Sequence, residues 1–84
     1  MISYILKKYM SDNNHTSLSF SYLCNFTESA VKKWKIDTVP TRRALKAIAK
    51  GIAKEQKLND NQYTELHDLL NFMANFDKTR RQTK

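Results

Sequence analysis

The side chains of this chain that could do chemistry lie on one side of a short segment, residues 27–35. As a helix, this segment turns Val31 and Trp34 to one side. Hydroxyl and ammonium groups remain on the other side: Thr27, Ser29, Lys32 and Lys33. These groups can donate hydrogen bonds to anions. A helix face this polar is not expected to pack in the hydrophobic core. The pattern favours binding of a polyanion over catalysis.

Basic residues concentrate in and after this segment. Residues 30–57 hold nine Lys and Arg against two acidic residues, a net charge of +7, whereas the rest of the chain has six of each sign. A clustered positive field is typical of polyanion binding, although a solvated charged surface gives the same count. Within it, Arg42, Lys46, Lys50 and Lys54 follow at i+4 steps, where like charges repel by roughly a few tenths of a kcal/mol per pair. A nearby polyanion would offset the repulsion between these like charges.

The sequence offers little for an enzyme, a metal site or a membrane protein. Cys24 is the single cysteine, and His15 and His67 have no carboxylate or thiol at the spacing of a ligand set or a catalytic triad. There is no glycine-rich phosphate loop, no secretion signal and no apolar run near the roughly 20 residues of a membrane span. We therefore expect a cytoplasmic protein with no catalytic residue, metal, cofactor or small-molecule substrate.

Apolar periodicity predicts five helices, an all-α fold in one domain over residues 1–77. The helices are expected at about residues 1–11, 17–24, 27–35, 42–54 and 60–77. The first and fourth each carry an apolar stripe at i, i+3, i+4 and i+7: Ile2, Ile5, Leu6 and Tyr9, then Leu45, Ile48, Ala49 and Ile52. Residues 78–84 have no apolar side chain and are predicted to form a basic flexible tail.

Helices two and three are expected to meet at a bend centred on Asn25, a residue that tolerates positive φ. Thr16 or Ser17 would cap the second helix, Thr27 the third and Thr41 the fourth, because each hydroxyl can accept from a free backbone N–H. The inward-facing residues are predicted to be Phe20, Ser21, Cys24, Phe26, Val31 and Trp34. Leu18 and Tyr22 fall on the outer side of helix two.

These residues resemble the Cro and lambda-repressor-like helix-turn-helix domains of phages, plasmids and bacteria, over about residues 2–52. The matching positions are Thr16, Ser17, Phe20 and Ser21 in helix two, Asn25, Phe26 and Thr27 in the turn, Val31 and Trp34 in helix three, and Pro40, Thr41, Leu45, Ile48 and Ala49 beyond. Ser21, Asn25 and Asp37 stand where Ala, Gly and Gly are usual. The resemblance implies a compact five-helix domain whose third helix enters the major groove of double-stranded DNA.

The resemblance also implies roles for individual residues. Those expected to face base edges are Thr27, Glu28, Ser29, Lys32 and Lys33. Those expected to contact phosphates are Ser17, Lys35, Thr38, Arg42 and Arg43. Ser29, Lys32 and Lys33 are favoured over Glu28, whose carboxylate also complements the helix dipole. The implied function is a Cro-like repressor that binds inverted-repeat operators as a dimer.

Helix five has more apolar residues than one stripe needs, which leaves two interpretations. It could form a homodimer interface through Leu69, Phe72, Met73 and Phe76, or it could close the core and leave Phe72 half exposed.

An alternative function is a protein-interaction module, such as an antitoxin or antirepressor, that uses helix five and the outer face of helix two. A DNA-bending excision factor is a further alternative. RNA binding is less favoured, because most aromatic residues are expected to be internal.

Overall fold

A computed structural model describes residues 1–36 and 38–82, with side chains for residues 1–36 and 38–79. Within these ranges all regular secondary structure is helical: α1 (Ile2–Asp12), α2 (Ser17–Cys24), α3 (Glu28–Ile36), α4 (Arg42–Gln56) and α5 (Asp60–Gln82). The predicted all-α chain of five helices is confirmed. None of the described helices combines the length and the apolar character that crossing a bilayer requires.

Side-chain caps fix where the helices begin. Three threonine hydroxyls each accept from the backbone N–H three residues on, at 3.1, 3.1 and 3.2 Å: Thr16, Thr27 and Thr41. Ser19 completes a capping box at α2, because its Oγ accepts from the Thr16 N–H at 2.9 Å. Asn59 and Gln62 bond reciprocally at the start of α5. Thr16 rather than Ser17 is therefore the cap of α2.

The bend between α2 and α3 forms at Asn25, as predicted. Its φ of 58° and ψ of 41° lie in the left-handed region, and its N–H points back to the last carbonyls of α2. An Asn side chain tolerates this conformation better than most residues. The chain therefore leaves the path of α2 at Asn25, and Thr27 caps α3 two residues later.

The apolar sides of all five helices meet in one core, with α4 packed against α2 and α5, and α1 against α3 and α5. Five of the six residues predicted to face inward are buried: Phe20, Ser21, Cys24, Val31 and Trp34. Phe26 is half-buried and packs against that core. The predicted α4 stripe is buried throughout.

Gly51 lets α4 and α2 approach closely. A Cβ on Gly51 would lie 2.6 Å from the Leu23 carbonyl oxygen, well inside van der Waals contact. The residue is helical and buried, so its role is the absence of a side chain rather than an unusual backbone conformation. Because Leu23 precedes the α2–α3 bend, this approach also sets where α3 begins.

Helix α5 continues to Gln82, past its predicted end at residue 77. Residues 78–82 contain no Gly or Pro to stop the helix. The Asp77 carboxylate also accepts from the Ile2 N–H at 2.9 Å, which ties this part of α5 to the start of α1. Residues 78–82 of the predicted flexible tail are thus helical, and residues 83 and 84 lie outside the described residues.

The predicted dimer interface on α5 needs one correction. Met73 is 4% exposed and belongs to the chain's own core, whereas Leu69, Phe72 and Phe76 are 53%, 65% and 44% exposed. Met73 lies on the same side of the helix as the buried Leu70, three residues away. The sequence alone could not separate these two sides, because the apolar residues of α5 cover more than one stripe.

Candidate nucleic-acid interface

Helix α3 presents a polar, basic surface to solvent. Thr27, Ser29, Lys32 and Lys33 are exposed, and Glu28 is half-buried. Lys32 Nζ lies 3.9 Å from Glu28 Oε2, a pairing one helical turn apart at the surface. Such exposed pairs contribute little stability, so either side chain can exchange this partner for another. The prediction that Thr27, Ser29, Lys32 and Lys33 lie on the outer side of α3 is confirmed.

The opposite side of α3 is held by packing. Val31 and Trp34 are buried, and the Trp34 ring lies 5.4 Å from the Phe26 ring, tilted by 58°. Aromatic pairs at this separation add to the stabilisation from burial. Trp34 is therefore a core residue rather than a platform for stacking bases. The packing fixes the rotation of α3, so its polar face points outward.

A groove of about 290 Å³ borders this face, between α3 and the segment that leads into α4. Its polar lining comes from Thr27, Ser29 and Lys33 at α3 and from Thr38 and Thr41 beyond it. The Thr38 N–H donates to the Lys33 carbonyl at 3.0 Å, which keeps the segment close to the helix. Three residues predicted to face bases and one predicted to contact phosphate thus line one groove.

Arg43 of α4 lies near the start of α3, on the side of the α2–α3 bend. A second groove, of about 520 Å³, is lined by Arg43 together with Ser21, Tyr22, Asn25, Phe26 and Thr27. The fold therefore brings Arg43 of α4 and Thr27, the cap of α3, to the same groove. Tyr22, which is 76% exposed, and Asn25 belong to this groove. The sequence assigned neither of them a contact with DNA, because their proximity to Arg43 depends on how α4 crosses α2.

Two of the predicted phosphate contacts, Ser17 and Lys35, bond to each other. The Lys35 ammonium donates to Ser17 Oγ at 3.2 Å, and Ser17 is only 9% exposed. Ser17 is covered because the start of α2 lies against the end of α3. Of the pair, the half-buried Lys35 carries the charge that could meet a phosphate, and Ser17 orients it.

The cations around α3 and the start of α4 are largely uncompensated. Among the described residues, none of Lys33, Arg42, Arg43 and Lys46 takes part in a salt bridge, and Lys32 has only its distant pairing with Glu28. Field lines from such a cluster extend into solvent and raise the local concentration of anions. The surface is thus electrostatically suited to a polyanion.

A separate polar cluster, remote in sequence, joins α1, the α1–α2 turn and α4. The Tyr9 hydroxyl donates to the Glu55 carboxylate, and His15 Nε2 lies 2.9 Å from Glu55 Oε2. His15 Nδ1 lies 2.9 Å from Ser19 Oγ. These contacts lower the pKa of Glu55, chiefly through the Tyr9 and His15 hydrogen bonds, while burial and the Glu55 bond raise the pKa of Tyr9 to about 12. Sequence spacing missed the cluster because His15 and Glu55 are 40 positions apart.

The order Ser19, His15, Glu55 has the outline of a catalytic triad, but the serine is committed elsewhere. Its Oγ accepts the Thr16 N–H at 2.9 Å in the capping box and donates to the Thr16 carbonyl oxygen at 3.2 Å. A nucleophile needs its hydroxyl proton directed to the histidine and a free approach for substrate. The arrangement instead fastens the start of α2 to α4. Cys24 is no better as a nucleophile, since burial raises its pKa to about 12.

We expect Glu55→Gln to lower the melting temperature by a few degrees at pH 7, because the amide loses the charge-assisted bonds. The Glu55 pKa is lower in the folded state than in the unfolded chain. The carboxylate therefore stabilises the fold above the unfolded-state pKa, near 4.3, and this contribution is lost as the pH falls through the folded-state pKa. The difference in melting temperature between the two proteins should shrink towards pH 3, measured by circular dichroism.

Glu65→Gln is the matched control, because Glu65 is an exposed helical glutamate without an ion pair among the described residues. Its melting temperature should follow that of the unaltered chain at both pH values. A Glu55→Gln deficit that stays constant down to pH 3 would show that shape, not charge, accounts for the effect.

Comparisons of the chain with protein-family models, with curated proteins and with solved structures find no match.

Proposed function

We propose that this chain is a sequence-specific, double-stranded-DNA-binding transcriptional regulator, a Cro-like repressor that acts as a dimer on inverted-repeat operators. One observation carries the proposal. The buried pair Val31 and Trp34 holds α3 so that Ser29, Lys32 and Lys33 face solvent, and Arg43 and Thr38 lie along the two borders of that face. A short helix presented in this way, between groups that suit phosphates, matches the geometry needed in a major groove.

In the proposed complex α3 reads the base edges. The Lys32 and Lys33 ammonium groups donate to guanine O6 and N7, and the Ser29 hydroxyl donates or accepts according to the base. The Thr27 oxygen already accepts the Ala30 N–H, so its hydroxyl proton is the part left for DNA. Glu28 mainly holds Lys32 and complements the start of the helix.

The surrounding cations set the orientation of the domain on the duplex. Arg42, Arg43 and Lys35 neutralise phosphates on either side of the groove, and Thr38 adds a hydroxyl. The first backbone N–H groups of α4 supply a partial positive charge at the same place. These contacts contribute affinity for any sequence, whereas α3 supplies the preference.

The decisive experiment uses the DNA immediately upstream of the gene. A labelled duplex from that region is titrated with the protein, followed by fluorescence anisotropy, and competed with a scrambled duplex of the same composition and length. We expect binding at physiological salt to an inverted repeat, at least about 1,000-fold tighter than to the scrambled duplex. Equal affinity for the two duplexes would reject sequence-specific regulation.

A dimer is part of the proposal, because one small domain contacts few base pairs. The exposed residues Leu69, Phe72 and Phe76 follow i, i+3 and i+7 on α5 and form one apolar strip. We expect Phe72→Asp to weaken self-association at least about tenfold, since burying a phenylalanine contributes roughly 2 kcal/mol. Sedimentation equilibrium measures the change.

Tyr22→Asp is the control, because it places the same charge on another exposed aromatic position, on α2 rather than α5. Its association constant should equal that of the unaltered chain. If the unaltered chain stays monomeric at micromolar concentration both free and on DNA, the dimer proposal is wrong.

A protein-interaction module is the second candidate, favoured by a specific feature of α2. Leu18 and Tyr22 lie one turn apart and are both well exposed, although neither serves the core. In this function, α2 and the strip on α5 would hold a protein partner. The anisotropy titration separates the two candidates, since an antitoxin or antirepressor without operator preference would bind both duplexes alike.

A further inference from the structure

The groove between α4 and α5 is a feature that the proposed DNA contacts leave largely unused. It has a volume of about 590 Å³ and is lined by Arg42, Arg43 and Lys46 on α4 and by His67, Asn71 and Asn75 on α5. Three cations thus form one wall, and one imidazole and two side-chain amides form the other. Among the described residues no carboxylate lines the groove, although α5 carries four acidic residues.

The cationic wall is unfavourable for the protein alone. Arg42 and Lys46 are one helical turn apart, where like charges repel, and none of the three α4 cations has a salt bridge among the described residues. Facing walls of low dielectric constant strengthen the field between them. An anion in the groove would relieve this repulsion.

The α5 wall is suited to phosphate oxygens. Asn71 Nδ2 donates to the His67 carbonyl at 2.9 Å, which orients the amide and leaves its second N–H for another acceptor. The His67 ring lies 6.0 Å from the Tyr63 ring and nearly parallel to it, so it is held at the side of the groove. Asn75 is exposed one turn beyond Asn71. Amide N–H groups are common donors to nucleic-acid phosphates.

The length and position of the groove select the kind of anion. His67 to Asn75 spans about 12 Å at roughly 1.5 Å per helical residue. A single small anion fills only part of such a length, whereas a DNA strand carries a phosphate at every nucleotide and supplies more than one. Arg43 also lines the second groove, which includes Thr27, so this one side chain borders both the α4–α5 groove and the candidate DNA-binding surface.

We propose that the α4–α5 groove binds the sugar-phosphate backbone of the duplex beyond the bases read by α3, with Lys46, Asn71 and Asn75 as additional phosphate contacts. This inference rests on the proposed function. It assigns α5 two separate surfaces, a polar one for DNA and the apolar strip of Leu69, Phe72 and Phe76 for the second copy. The protein then covers a longer stretch of DNA on each half-site than it would through α3 and the neighbouring phosphate contacts alone.

The first test compares Lys46→Ala with Lys50→Ala. Lys50 is the next cation on the same face of α4, is equally exposed, and does not line the groove. We expect Lys46→Ala to reduce the slope of log affinity against log salt concentration by about 0.9, for operator and scrambled duplex alike. Lys50→Ala should leave the slope unchanged.

The second test places a negative charge in the groove. Asn75→Asp should weaken duplex binding at least about fivefold, because the new carboxylate faces phosphates. Asn61→Asp makes the same change in the first turn of α5, away from the groove, and should have no effect. If the chain binds duplex and each groove variant behaves like its control, the groove proposal is wrong while the proposed function stands. If neither the unaltered chain nor any variant binds duplex, the proposed function itself is wrong.

A third measurement distinguishes DNA from a small anion. The side-chain amide resonances of Asn71 and Asn75 are followed by NMR during titration with duplex, and separately with inorganic phosphate and with ATP. We expect saturable shifts with duplex. Saturable shifts with phosphate or ATP, together with none on duplex binding, would assign the groove to a small phosphorylated ligand and overturn the proposal.

Discussion

Replacing Lys32 and Lys33 together by alanine is expected to lower operator affinity at least about 30-fold and to leave the melting temperature unchanged. Each well-placed base contact is worth roughly 1–3 kcal/mol, so the loss of two removes about 2 kcal/mol or more. Both side chains are exposed and neither supports the core, so the fold does not depend on them. Anisotropy titrations at fixed salt give the affinities, and circular dichroism gives the melting temperature.

The control is Lys7→Ala with Lys8→Ala. These are also adjacent exposed lysines on a helix, and Lys8 pairs with Asp12 one turn away, as Lys32 does with Glu28. The control therefore matches the change in net charge, helix propensity and surface pairing. It should retain the preference of the unaltered chain for operator over scrambled duplex. If the Lys32 and Lys33 variant retains that preference at physiological salt, α3 is not the reading helix.

Gly51→Ala is expected to destabilise the fold by about 1–3 kcal/mol, although alanine is the better helix former by roughly 1 kcal/mol. The added Cβ would lie 2.6 Å from the Leu23 carbonyl oxygen and 3.1 Å from the Leu23 Cγ. A backbone oxygen cannot turn aside as the end of a flexible side chain can, so α2 has to shift away from α4. Urea unfolding measures the loss of free energy.

The displacement of α2 in the Gly51→Ala variant should also alter the candidate DNA-binding surface. Leu23 lies two residues before Asn25, and Arg43 meets the α2–α3 bend along the face where α2 packs on α4. We therefore expect operator affinity to fall even at temperatures where the variant is fully folded. Lys50→Ala, at the neighbouring exposed position, should change the free energy of unfolding by less than about 0.5 kcal/mol. A Gly51→Ala protein that is more stable than the unaltered chain would show that helix propensity outweighs the contact.

Helix positions could be predicted from the sequence because their causes are local. Thr16, Thr27 and Thr41 cap helices through N–H groups three residues away, and Asn25 supplies the left-handed residue at its own position. The inward side of α3 follows equally from the spacing of Val31 and Trp34. Each of these features depends on chemistry within about one helical turn, which a single sequence displays directly.

Contacts between distant positions could not be predicted in the same way. Apolar periodicity shows that α5 has more apolar residues than one stripe needs, but only packing against α1 and α4 decides that Met73 is buried and Phe72 exposed. The Glu55 carboxylate meets His15 across 40 residues, and Asp77 meets the start of α1 across 75. No local pattern marks either pairing.

The features of the candidate site are likewise of two kinds, those that follow from local sequence and those that depend on contacts between distant residues. The sequence by itself determined that α3 has a buried edge and a basic, hydroxyl-bearing face, because the helical repeat sorts its residues without help from elsewhere. Only the tertiary structure decided what borders that face: Arg43 beside Thr27, Lys35 on Ser17, and a cationic groove shared between α4 and α5. The physical reason is that helix crossings set these neighbours, and a crossing such as that of Gly51 on Leu23 depends on side-chain volumes from two distant parts of the chain.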